Sequence, residues 1–116
     1  MPAGRFDIEI EAGSTFTRTL RMKDPTSNTA IDLSNVNEVR GQIRLYPEDA
    51  SLAGTFNLSV TDASRGIISW TMSATDTDKL QSLQHSYDIE IEYSDGVVKR
   101  ILEGIVNVDG GVTRND

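Results

Sequence analysis

The sequence predicts an all-β protein: one domain folded as a seven-stranded antiparallel immunoglobulin-like β-sandwich, with one short helix near residues 75–83. Three observations lead there. The run Asp-Ile-Glu-Ile-Glu occurs twice, at 7–11 and 88–92, each copy preceded by an aromatic residue, Phe6 or Tyr87. Similar alternating runs recur along the chain, separated by clusters of turn-forming residues. Helical periodicity replaces alternation in one place only, after Ser73. An open barrel is the main alternative that the same pattern allows.

Successive strand side chains point to opposite faces. In the first strand, about 6–11, Phe6, Ile8 and Ile10 therefore line one face and Asp7, Glu9 and Glu11 the other. Ala12-Gly13-Ser14 turns the chain into a second strand, about 15–23, whose apolar face (Phe16, Leu20, Met22) is interrupted by Arg18. Residues 24–35 are rich in turn formers, with Ile31 and Leu33 as expected core anchors. The third strand, about 38–46, sets Val39, Ile43 and Leu45 against Arg40, Gln42 and Arg44, and Pro47 ends it by removing a backbone donor. Phe56, Leu58 and Val60 mark the fourth strand. The fifth, about 67–72, carries Ile68, Trp70 and Met72, and the single tryptophan reads as a core anchor.

Thr75 followed by Asp78 resembles a capping box, and Leu80 and Leu83 fit one face of a short helix. The sixth strand covers about 86–93, with Tyr87, Ile89 and Ile91 opposing Asp88, Glu90 and Glu92. Asp95-Gly96 is a tight-hairpin signal, because a type I′ turn needs positive φ at both central positions. The seventh strand, about 97–108, places Val98, Leu102, Val106 and Val108 on one face, with Gly104 marking a bulge or a close approach of backbones. Gly110-Gly111 then releases a tail, so residues 1–116 form one domain whose last stretch, 109–116, is a short C-terminal tail.

A chain of 116 residues can bury a self-sufficient core, and the absence of cysteine removes disulfides and thiolate chemistry. Eleven Lys and Arg against eighteen Asp and Glu give a net charge of −7, which argues against direct nucleic-acid binding. The negative charge serves solubility, or faces a basic partner surface. No basic and apolar leader opens the chain, and no run approaches the roughly 18 apolar residues of a membrane span, so a soluble protein is expected.

Nothing in the sequence carries a catalytic pattern. The single histidine, His85, has no second histidine or cysteine to share a metal with, and it reads as a solvated loop residue. Serines and aspartates are plentiful enough for a triad, but no nucleophile-elbow pattern is present. Asp88, Glu90 and Glu92 project about 7 Å apart, too widely for one strand to wrap a cation. No aspartate spacing matches an EF-hand. No catalytic, metal or cofactor residues are assigned. The candidate partner-contact surface is Asp7, Glu9 and Glu11 with Asp88, Glu90 and Glu92.

The order of segments resembles small β-sandwich proteins of phage tails and the N-terminal domain of the phage baseplate upper protein family. The opening Phe6–Leu20 is similar to that family's amphipathic strand, "xGxTF" turn and threonine-rich second strand. Ala30–Ser34 resembles its "DL[TS]" segment, and Ser73–Leu80 its short helix. The closing Tyr87–Ile91, Asp95–Gly104 and Val112-Thr113-Arg114 resemble its hairpin, its "G-x-V-x-R-x-L-x-G" strand and its terminal "VTR". The chain departs from the family in stopping after this first domain.

The resemblance implies a non-enzymatic virion structural protein, made in the host cytoplasm. It would be a tail, baseplate or fibre-adaptor subunit in a symmetric multi-copy or homo-oligomeric assembly. Its partners would be other virion proteins, with no nucleic acid, membrane or cofactor. A capsid decoration (cement) protein is the alternative, and a carbohydrate- or calcium-binding β-sandwich module is a further one.

Overall fold

The structure is a computed structural model that describes residues 4–24 and 26–111. The expected C-terminal Val112-Thr113-Arg114 segment lies outside the described residues, as does most of the expected tail. The fold is almost wholly β. In chain order the elements are β1 (Gly4–Arg5), β2 (Ile8–Glu11), β3 (Phe16–Arg21), β4 (Val36–Arg44), β5 (Gly54–Asp62), β6 (Ile67–Met72), α1 (Ala74–Thr77), β7 (Gln84–Tyr93) and β8 (Val98–Asp109).

These strands form one curled sheet in the order β1-β8-β7-β4-β5-β6-β3, with β2 also on β8. The curl turns on β5. Its first residues pair with β4 (Gly41↔Phe56, Ile43↔Gly54), and its later ones pair with β6 (Leu58↔Trp70, Val60↔Ile68). Apolar side chains from both halves then meet inside the curl. Phe16, Phe56, Trp70 and Tyr87 interlock there, with Phe56 and Trp70 edge to face at 5.3 Å between ring centroids. Such contacts add to the area the rings bury. A second cluster gathers Leu33, Ile68 and Ile91, so Leu33 is the anchor expected of its turn-rich segment, and its N–H donates to the Ala63 carbonyl at 2.8 Å.

Four expectations need correction, besides the Asp95-Gly96 turn, where Gly96 has positive φ and Asp95 does not, so it is not the expected type I′ turn. The first predicted strand, about 6–11, forms only from Ile8: a break at Phe6-Asp7 separates β2 from β1 ahead of it, and this edge strand runs parallel to β8 rather than antiparallel. Its register runs unchanged across the break, from Gly4↔Leu102 to Ile8↔Val106, which sets Phe6 opposite Gly104. A parallel ladder would pair the Phe6 carbonyl with the Ile105 N–H. Instead the Tyr87 hydroxyl donates to that carbonyl, and Ile105 N–H donates to the Asp7 carboxylate at 3.0 Å. With the peptide turned this way, Phe6 leaves the core face and is 52% exposed.

The helix is a single turn, capped by Ser73 rather than Thr75, with the Ser73 Oγ accepting the Asp76 N–H at 3.2 Å. Thr77 ends it. Its buried hydroxyl donates to the Ser14 carbonyl at 2.8 Å and accepts from the Gly13 N–H at 3.0 Å, tying this turn to the β2–β3 connection. Leu80 is buried, whereas Leu83 is exposed.

The bulge lies at Ile101, which the β7–β8 register skips between Ile89↔Leu102 and Glu90↔Arg100. Gly104 is instead the close approach of backbones: an added Cβ would sit 2.1 Å from the Phe6 carbonyl oxygen. Finally, His85 is no loop residue. It lies on β7 facing inward, 3% exposed, with Nδ1 3.0 Å from the Leu83 carbonyl oxygen.

Candidate functional site

Strand alternation places Arg40, Gln42 and Arg44 of β4 on the outer face of the sheet. The same face receives Ser86, Asp88, Glu90 and Glu92 of β7, and Arg100 and Glu103 of β8. All of these except Glu92, together with Arg5 and Gln84, border an open trough of about 480 Å³. Four arginines and three carboxylates line it, so this trough is nearly charge-balanced in an acidic molecule.

Register decides who meets whom. Arg40 stands directly across from Glu90, and its Nε lies 3.1 Å from the Glu90 carboxylate. Its Nη1 reaches Glu92 and Glu38, each at 3.2 Å. Hydrogen bonds to Glu92 and then Glu90 raise the Arg40 pKa above the ordinary arginine value. Glu92 is held below the ordinary carboxylate value, first by the Asn37 side-chain amide at 3.1 Å and then by Arg40. Arg100 lies 3.2 Å from Asp88 and 3.5 Å from Glu103. Asp88 nevertheless shifts upward, because the cost of burying its charge outweighs the attraction of Arg100. Arg44 donates to the Asp49 carbonyl at 2.9 Å and to the Gln42 Oε1 at 3.0 Å, which braces the β4–β5 loop.

The six residues expected to form a partner surface therefore divide. Asp88, Glu90 and Glu92 share one row but are engaged by arginines. Asp7 is occupied at the strand break by the Ile105 N–H, with Arg5 at 3.5 Å. Glu9 and Glu11 stand exposed on β2, opposite Asn107 and Asp109, and neither has an ion-pair partner among the described residues. Reasoning from sequence missed that Arg40 and Arg100 would neutralise the β7 row. Their placement on a polar face was legible; their register against β7 was not.

Within this trough, and among the described residues, no nucleophile is hydrogen-bonded to a base. Ser86 borders the trough, but His85 beside it points to the opposite, buried face. Among the described residues no three His, Asp or Glu side chains gather as a metal site. None of the described helices is long and apolar enough to cross a membrane.

No family model and no curated protein matches the chain. Among solved structures it is similar to a mutant of the SrpA adhesin from Streptococcus sanguinis, with a TM-score of 0.51 and 10% identity. That alignment covers 89% of this chain and 54% of the adhesin chain, so the chain spans about half of the adhesin's length. At this identity the likeness concerns fold alone. The solution structure of Amebosin also aligns, at a TM-score of 0.37 and 10% identity, over 94% of this chain and 100% of that one.

Proposed function

We propose that this chain is a non-enzymatic structural protein of a tailed-phage virion, a tail, baseplate or fibre-adaptor subunit that works by packing against neighbouring virion proteins. The observation that carries the reading is the outer sheet face. Its charges are fixed in register-determined pairs around Arg40 and Arg100, which makes a broad polar surface whose side chains are already ordered before a partner arrives. Preordered polar faces reduce the entropic cost of docking and favour specificity. The resemblance of its segment order to the phage baseplate upper protein family supports the same assignment.

The fold belongs to this proposal in its finer form. Counting β1 and β2 as one interrupted edge strand gives seven strand positions. Dividing the curled sheet at β5, with β2-β8-β7-β4 as one layer and β3-β6-β5 as the other, would give the layout of an immunoglobulin-like sandwich.

Mass spectrometry of purified particles, with immunogold labelling, tests the function. Tail or baseplate label at several copies per particle is the expected result, and shell label would reassign the chain as a capsid decoration protein. Absence from particles overturns both. Saturable calcium or glycan binding would instead favour a binding module.

A further inference from the structure

Among the described residues the curled sheet has two free edges, and they carry opposite charge. On β2 the Phe6 and Ala12 N–H groups donate to β8 at 2.9 and 2.8 Å, so the alternate residues Glu9 and Glu11 turn their N–H groups away from the sheet. On β3 the Met22 N–H donates to Gly66 beside β6 at 2.8 Å, so Thr17, Thr19 and Arg21 turn their backbone groups outward. The Glu11 carbonyl already accepts the Ser14 N–H at 3.0 Å, and the Thr17 carbonyl accepts the Arg18 guanidinium. The outward groups of Glu9, Thr19 and Arg21 have no partner among the described residues, and such groups are templates for another strand. Glu9 and Glu11 border the first edge, Arg18 and Arg21 the second. All four are exposed, and none has an ion-pair partner among the described residues. Arg18 points toward the apolar side of its strand, with its guanidinium 4.8 Å over the Phe16 ring and 2.9 Å from the Thr17 carbonyl. An inward charge guards this edge against apolar strands, while Arg21, on the opposite side of β3, supplies the positive charge on the face where β2 carries Glu9 and Glu11.

We infer that the acidic β2 edge docks on the basic β3 edge of a second copy of this chain, continuing the sheet from one molecule to the next. Pairing of β2 with β2 would set carboxylates against carboxylates, and β3 with β3 would set guanidiniums together, so the contact joins unlike edges. Repeated, it builds a reciprocal dimer, a ring or a row, as the copy number will reveal. The inference rests on the multi-copy reading above and names its contact.

Sedimentation velocity over a concentration series tests it on the full chain, with circular dichroism to establish that each variant folds. The natural chain should self-associate, less so at high salt. Glu9→Lys with Glu11→Lys, and separately Arg18→Glu with Arg21→Glu, should each weaken association by about 100-fold or more. Each variant then carries two like-charged edges, but an equimolar mixture of the two restores every contact and should reassociate. Variants that associate as the natural chain does, or a mixture that stays monomeric, overturn the inference. A monomeric natural chain found in particles overturns the edge contact alone. A self-associating chain absent from particles overturns the virion reading alone.

Discussion

Tyr87 donates its phenolic hydrogen to the carbonyl of Phe6, 81 positions away in the chain. Gly104 stands between them in the three-strand row, and its missing side chain is what lets the phenol and the turned carbonyl meet. Tyr87→Phe keeps the ring packing and removes this bond, leaving the Phe6 carbonyl without its donor. A loss of about 1–2 kcal/mol is expected in chemical denaturation.

The same tyrosine makes an alkaline prediction. Burial, and then the charge of Asp7, raise its pKa well above the ordinary 10.0. A group whose folded pKa is raised contributes stability that is complete below the unfolded pKa and is lost as pH rises beyond it. Stability should fall above about pH 10, and this part of the fall should vanish in Tyr87→Phe when melting is followed against pH.

Gly104→Ala drives a methyl group into the Phe6 backbone, which no rotamer change can relieve. Destabilisation of about 3 kcal/mol or more is expected. Gly96 at the hairpin has φ +90° and nothing within 4 Å of an added Cβ, so Gly96→Ala should cost about 1–2 kcal/mol, from backbone conformation alone. Parallel denaturant titrations separate the two.

Asp88 and Glu92, two steps apart on one row, should respond to pH with opposite sign. Glu92 has a lowered pKa, so it contributes stability above the ordinary carboxylate value that is lost as pH falls through its folded pKa. Glu92→Gln should lower the melting temperature at neutral pH and match the natural chain in acid. Asp88 has a raised pKa, and its ionisation works against folding as pH rises. Asp88→Asn should therefore lose no melting temperature at pH 7 despite losing the contact with Arg100.

His85 should resist carbethoxylation in the folded protein and react once the chain is unfolded, read by absorbance at the modified imidazole. Rapid modification under native conditions would contradict its burial on β7.

Local chemistry made much of this fold legible. The Ile67–Met72 strand has the predicted bounds, because alternation there is bracketed by a glycine turn and a cap. The other strands are displaced by a few residues at their ends, where hydrogen bonding to a neighbour decides the limit. What alternation could not reveal was any relation between distant strands. The parallel docking of β1 and β2, the turned peptide at Phe6 and the burial of His85 all depend on β8 and β7 lying alongside. The charge partners of the candidate surface were hidden for the same reason. Six carboxylates were visible in the sequence, but only register shows that Arg40 and Arg100 occupy three of them while Glu9 and Glu11 stand free.

The parallel seam between β2 and β8 has a mechanical consequence. A pull that draws the start of β1 one way and the end of β8 the other runs along both strands at once. The bonds from Phe6 to Glu103 and from Ala12 to Asp109, with those between them, then stretch together rather than peeling off singly. Force along the chain therefore meets its stiffest response at this seam, while a sideways pull on the β7–β8 hairpin would open its ladder one rung at a time.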